Sequence, residues 1–204
     1  VNVSLIDYGA GNLRSVANAL CELGVQPTLA ASPENLVDTT HLVLPGVGSF
    51  GDCMTQLASR GLLTAIRDWL DAGKPYLGIC LGYQILFDSS EESPGVPGLG
   101  MVPGTVRRFL PSPGLKIPHM GWNSAVPRNP DAGIWSGLGL QPYFYYVHSY
   151  FPVPDDPSVI AAQTCYGDHS FAAAIELPNL FACQFHPEKS QDTGLRLIRN
   201  FLGI

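Results

Sequence analysis

Apolar positions change period along the chain in a regular order. The run Val1–Asp7 predicts a strand, followed by the Gly-rich turn Asp7-Tyr8-Gly9-Ala10-Gly11-Asn12. Leu13, Val16, Ala17 and Leu20 then recur at helical spacing until Gly24 stops the helix. Val25–Ala30 predicts a second strand, and Ser32-Pro33-Glu34 caps a short helical turn. His41–Leu44 predicts a third strand, running into Pro45-Gly46-Val47-Gly48. Leu62, Leu63, Ile66 and Leu70 mark a helix closed by Gly73. Pro75 then opens the wholly apolar run Tyr76–Ile79, with a helical pattern after it (Gln84, Ile85, Leu86, Phe87). Such a run fits a strand buried on both faces. Strands that alternate with helices predict a parallel sheet with helices on either side.

The second half reads differently. From Glu91 to Pro130 prolines and glycines are dense, with a strand expected at Val106–Leu110. Tyr143–Val147, Val159–Thr164, Phe171–Ile175 and Leu180–Phe185 are rich in β-formers and closely spaced, which predicts antiparallel strands added to the parallel sheet. Arg196, Leu197, Ile198 and Phe201 predict a final amphipathic helix. The expected fold is therefore mixed α/β, a mainly parallel sheet flanked by helices. Residues 1–204 are expected to form a single domain.

Composition narrows the function. The chain has 46% hydrophobic and 14% charged residues, a net charge of −6 and only 11 Lys+Arg, without a basic cluster. Nucleic acid is thereby disfavoured as a main partner. No apolar run is long enough to span a membrane and no secretory leader is expected. Five scattered cysteines (Cys21, Cys53, Cys80, Cys165, Cys183) form neither a disulfide framework nor a zinc pattern, which fits a reducing, cytoplasmic setting. No metal and no cofactor are expected.

One of these cysteines is distinctive. Cys80 stands between two glycines in Gly78-Ile79-Cys80-Leu81-Gly82, at the junction of a buried strand and a helical pattern. This is the nucleophile-elbow arrangement with sulfur in place of oxygen. Glycines flank it because side chains would collide with neighbouring backbone. A thiol at a helix N-terminus is favoured as thiolate. The nucleophile requires a base, and the base an orienting group. Of five histidines, His41 reads as structural and His169 as solvated, while His119 and His148 sit among aromatics as core residues do. His186 directly follows the apolar run Leu180–Phe185, so it and Cys80 fall at carboxyl ends of strands, where sites form in parallel sheets. Glu188, two residues on, can return to hydrogen-bond the imidazole. Acyl transfer also needs oxyanion donors. The N–H of Leu81 is one by elbow geometry, and the loop with Val47 and Gly48 is placed for a second. Its glycines let the backbone switch between conformations.

These residues resemble the triad, or class I, glutamine amidotransferases over nearly the whole chain. Five motifs narrow the resemblance: Ile6–Leu13, Leu44–Phe50, Pro118–Asn123, Tyr145–Tyr150 and Gln184–Ser190. Together they are similar to the glutaminase subunits of imidazole glycerol phosphate synthase. One departure is Tyr83, where that family more often has Met. The resemblance implies a flavodoxin-like fold, with Cys80 as nucleophile, His186 as base and Glu188 as its orienter. It also implies glutamine contacts at Gly46, Gln84, Ser149 and Tyr150. The implied partner is a separate (β/α)8-barrel cyclase subunit in a heterodimer, met through Asn12, Pro118, Met120, Trp122, Tyr145 and Lys189. Three other readings share the Cys-His-Glu set or its remains: a glutaminase subunit of another synthase, such as that for pyridoxal phosphate, a free-standing γ-glutamyl hydrolase, or a silent regulatory module.

Overall fold

The computed structural model describes residues 1–9, 12–131 and 133–204; Ala10 and Gly11 of the expected Gly-rich turn lie outside the described residues. The first half runs β1 (Val3–Ile6), α1 (Leu13–Glu22), β2 (Thr28–Ala30), β3 (His41–Gly46), α2 (Phe50–Ser59), α3 (Leu62–Asp71), β4 (Tyr76–Cys80) and α4 (Leu81–Gln84). The strands β5 (Phe87–Ser90), β6 (Val102–Arg108), β7 (His119–Ser124), β8 (Val126–Pro127), β9 (Tyr143–His148) and β10 (Tyr150–Pro154) follow. The chain ends with β11 (Ile160–Tyr166), β12 (His169–Leu177), β13 (Leu180–Cys183) and α5 (Gln191–Leu202).

An eight-stranded sheet in the order β2-β1-β3-β4-β13-β12-β11-β8 forms the centre. Its first five strands are mutually parallel and the remaining three pair antiparallel. Successive side chains of a strand face opposite ways, so the sheet supports two cores. Val3, Leu5, Val43, Leu77 and Ile79 pack on one side with Val16 and Leu20 of α1 and Leu197 and Ile198 of α5. Ile6, Leu42, Leu44 and Tyr76 pack on the other with Phe50, Met54 and Leu57 of α2 and Leu62 and Ile66 of α3.

Several expectations shift. The second strand shortens to Thr28–Ala30, the third extends to Gly46, and the expected Val106–Leu110 strand begins earlier, at Val102. The helical pattern after Cys80 yields a single turn. Beyond it the Ile85, Leu86 and Phe87 carbonyls accept from the N–H groups of Leu99, Met101, Val102 and Gly100, and Phe87 starts a strand. Gly98 makes this approach possible, since a Cβ there would lie 1.9 Å from the Phe87 oxygen. The additional antiparallel strands do not all join the main sheet: β10-β6-β5 and β7-β9 form two small sheets of their own. Helix α2 was not expected from the sequence. Ser49 caps it, its hydroxyl accepting from the Asp52 N–H at 3.2 Å.

At the β4–α4 junction a Cβ on Gly82 would lie 1.9 Å from the Leu44 carbonyl oxygen, which is backbone and cannot turn aside. Gly82→Ala is therefore expected to destabilise the fold by more than about 4 kcal/mol, the range reached when a change strikes fixed core backbone. Urea unfolding measures this, and a wild-type midpoint would contradict the packing described.

Candidate active site

Cys80 closes β4 with φ 55° and ψ −101°. A non-glycine residue there is strained, and such strain persists only where the surroundings enforce it. Here the enforcement is visible. The register sets Gly46 of β3 opposite Cys80. A Cβ on Gly46 would lie 2.7 Å from Leu81 Cβ, and one on Gly78 would lie 2.5 Å from the Gly82 oxygen. Gly46 is thus buried behind the elbow, and its smallness lets β3 approach it.

β13 runs parallel to β4 with Cys183 opposite Ile79, and His186 follows three residues after Cys183. The His186 backbone N–H donates to the Tyr145 carbonyl at 2.8 Å, and its carbonyl accepts from Ser190 Oγ at 2.6 Å. In the short 3-10 turn Pro187–Lys189, Glu188 swings back so that its Oε1 is 2.8 Å from His186 Nδ1. A carboxylate acceptor fixes the proton on Nδ1 and leaves Nε2 as the reactive nitrogen. Nε2 is buried with no hydrogen-bond partner among the described residues. Buried polar groups are nearly always satisfied, and the orphans among the described residues are this nitrogen, Glu188 Oε2 and Trp135 Nε1; the first two belong to one pair beside Cys80.

Burial disfavours charge on His186, yet the ring is pushed up to about 10, because the Cys80 sulfur and the Glu188 carboxylate together outweigh desolvation. The other buried histidines behave oppositely. His119 and His148, joined at 3.0 Å, are lowered by burial to about 4 and about 3. Burial also drives the Cys53 thiol up to about 12 and raises that of Cys183, so both stay neutral.

Cys80 opens into a cleft of about 310 Å³ lined also by Val47, Gly48, Leu81, Gln84, Ser149 and Tyr150. Glu92 and His148 line it too and were not singled out from sequence as part of a site. Glu92 anchors the start of α2, its Oε2 accepting from the Phe50 N–H at 2.8 Å. It brings a carboxylate to the cleft wall, and nothing in its sequence neighbourhood signals that. Gly48 has φ 101°, and the Tyr8 hydroxyl donates to the Val47 carbonyl at 3.5 Å. A larger cavity, about 420 Å³ beside Trp135 and Glu176, is lined by neither cysteine nor histidine among the described residues.

Of the residues expected at a partner surface, Met120 and Trp122 project from β7 and are 62% and 48% exposed, too open for core packing. Trp122 pairs with Tyr145 across the β7–β9 ribbon, and the Lys189 ammonium sits 5.8 Å from the Tyr145 ring. Asn12 donates through its side-chain amide to Oε1 of Glu188, the residue before Lys189, at 3.5 Å. Pro118 is exposed and also lines the cleft.

A strained cysteine elbow beside a buried His–Glu pair, at the carboxyl ends of parallel strands, is the arrangement that thiol-dependent acyl transfer requires. Residues 4–203 match the family described as "Glutamine amidotransferase class-I". A solved structure described as a glutamine amidotransferase shares the fold at a TM-score of 0.75 and 23% identity, covering 100% of this chain and 98% of that one. The chain is 48% identical over 202 residues to imidazole glycerol phosphate synthase subunit HisH of Thermosynechococcus vestitus, covering 99% of this chain and 96% of that one. It is 49% identical over 200 residues to the same subunit of Acaryochloris marina, covering 98% and 93%. The chain belongs to the class-I glutamine amidotransferases and, within them, to the HisH subunits of imidazole glycerol phosphate synthase.

The His186 value has a direct test. Because it lies above the ~6.5 of an unfolded histidine, the ring's pairing contributes stability that is complete below that value and is lost as pH rises through about 10. Cys80→Ala removes the sulfur's share. The imidazole nitrogen signals of His186 in NMR should then titrate at lower pH than in the wild type, and an unmoved midpoint would show that Cys80 does not charge the ring.

Proposed function

We propose that this chain, a single glutamine amidotransferase domain, is the cytoplasmic glutaminase subunit of an imidazole glycerol phosphate synthase. The observation that carries this reading is the buried His186, tied to Glu188 through Nδ1 and open at Nε2, beside a cysteine on a strained elbow. Cys80 Sγ attacks the side-chain amide carbon of glutamine, and the oxyanion that forms is held by the N–H groups of Leu81 and the Val47–Gly48 loop. His186 passes its Nε2 proton to the leaving nitrogen, the C–N bond breaks, and ammonia departs from a thioester. Forming the thioester removes the sulfur charge that keeps the ring protonated. Burial then lowers its pKa, so the same nitrogen can take a proton from water. Water attacks the thioester, glutamate leaves and Cys80 is restored. Glutamine is oriented by Gln84, by the backbone at Ser149 and Tyr150, and by the Glu92 carboxylate, which suits its ammonium group. The ammonia passes to a (β/α)8-barrel cyclase subunit, which forms imidazole glycerol phosphate and aminoimidazole carboxamide ribotide. That subunit docks on the face carrying Met120, Trp122, Tyr145 and Lys189.

Cys80→Ala is expected to lower glutamine hydrolysis by at least about a thousandfold, while its complex with the cyclase still runs the synthase reaction on added ammonium salt at raised pH. Substantial glutaminase in the purified variant would refute Cys80 as nucleophile. An intact complex that cannot use ammonia would mean that this chain takes part directly in the cyclase step.

The Val47–Gly48 loop carries a second expectation. One oxyanion donor is worth on the order of a hundred- to a thousandfold in rate, so a partner that favours the donor-competent loop can raise turnover by that much. Val47→Pro deletes the N–H and should reduce partner-stimulated hydrolysis more than basal hydrolysis. If the isolated chain already works within about threefold of the ligand-loaded complex, a change far smaller than one donor supplies, the loop is not a switch.

A further inference from the structure

We propose that Gln184 is a positioning residue for the nucleophile: its side-chain N–H donates to the Cys80 sulfur and holds that sulfur as thiolate in line with His186. The proposal rests on the reading of Cys80 as nucleophile and goes beyond the Cys-His-Glu set. Gln184 is fully buried, and its Nε2 is 3.5 Å from Cys80 Sγ. Its backbone is fixed by donation to the Ala173 carbonyl at 2.8 Å.

The polarity of this contact follows from its far end. A backbone carbonyl can only accept, so the Tyr150 carbonyl obliges Gln84 to present Nε2, at 3.1 Å. The same Nε2 lies 3.0 Å from the Gln184 side chain, which must meet it with Oε1. Gln184 is then left with its N–H₂ group toward Cys80. A sulfur that receives an N–H donor, with the orientation set three groups away, is stabilised in its ionised form. The chain also links the nucleophile to Gln84 and Tyr150, residues proposed to hold glutamine, so its ordering accompanies substrate binding.

The titratable groups that face this sulfur are His186 with Glu188 behind it, Cys183 from β13, Tyr8 after β1, and Glu92 and His148 in the cleft wall. All remain when only Gln184 is changed. The test is the rate of Cys80 alkylation by iodoacetamide against pH, followed by peptide mass, in the full chain and in Gln184→Leu and Gln184→Glu. A hydrogen bond to an ionised group is worth about one pKa unit or more. The alkylation midpoint should therefore rise by about one pH unit in Gln184→Leu, with about tenfold slower labelling below it. It should rise further in Gln184→Glu, which keeps an acceptor for Gln84 but turns a carboxylate toward the thiolate. In the wild type, the side-chain amide signals of Gln184 should move in NMR along the Cys80 titration, a readout that stands even where a variant fails to fold. Cys80 that alkylates with the same midpoint in a folded variant, or amide signals indifferent to it, overturns this proposal. A wild-type Cys80 that resists alkylation while glutamine turnover persists overturns the nucleophile reading instead.

Discussion

Three glycines let two strand ends and the start of a helix occupy almost the same space, and the chemistry depends on that approach. Gly82 lies against the Leu44 carbonyl, Gly78 against the Gly82 carbonyl, and Gly46 against Leu81 and Tyr8. The consequence falls on the residue between them. Cys80 is forced to φ 55°, a conformation it would not adopt in a free chain. Cys80 thereby lines a cleft whose walls come from the loop after β3, from α4 and from the β9–β10 junction. The same contact sets where the oxyanion loop begins, because Gly46 is both the partner of Cys80 in the ladder and the last residue before Val47. Strain at Cys80 and placement of the proposed oxyanion loop are therefore one packing event.

Around this elbow the site keeps a buried histidine charged. Taking an ion pair out of water is costly unless each member is held by further bonds. His186 is held on both backbone sides, through Tyr145 and Ser190, and on Nδ1 by Glu188. Among the described residues His186 Nε2 and Glu188 Oε2 are left without a partner, and Nε2 is the open atom of the ring. Burial works against the charge and the sulfur works for it, so the balance tips when the sulfur is acylated. In the proposed reaction a single ring can thus act as proton donor in the first half of a turnover and as acceptor in the second.

Much of this was legible in the sequence, for identifiable reasons. The elbow announces itself through glycines whose spacing has a steric cause, and His186 and Glu188 through their position after an apolar run. The parallel half of the sheet followed from alternating periods. Helix α2 could have been found: Ser49 and Asp52 form a cap, and Phe50, Cys53, Met54 and Leu57 repeat at helical spacing and are buried. The strands β7 and β10 were hidden by Gly121, Pro152 and Pro154, residues that weaken a strand pattern and are tolerated in small sheets with free edges. The brevity of α4 was not readable, because Ile85, Leu86 and Phe87 keep helical spacing and only their pairing with residues 99–102 overrides it. Gln184 opens one of the five motifs, yet neither it nor Glu92 carries a local signal of the contacts it makes. Their roles come from tertiary neighbours distant in sequence.

The ribbon β7–β9 ties the outer face to the site. Tyr145 presents its ring beside Trp122 and Lys189 while its backbone turns inward. Its carbonyl accepts from the His186 N–H, and its N–H donates at 3.0 Å to Ser190 Oγ, the hydroxyl that grips the His186 carbonyl. Three residues further along the same strand, His148 donates through Nδ1 at 2.8 Å to the Tyr150 carbonyl that also receives Gln84. Tyr150 can accept but not donate at that atom, which places a proton on His148 Nδ1, and burial keeps the ring neutral, so its Nε2 accepts from His119. A body that settles on Trp122 and Tyr145 therefore presses on a strand whose backbone holds the proposed base and whose end shapes the glutamine cleft. Coupling between the two faces needs no large motion. A shift of β9 by a fraction of a hydrogen-bond length would reach His186 and Gln84 together, because both are bonded to the same short stretch of chain.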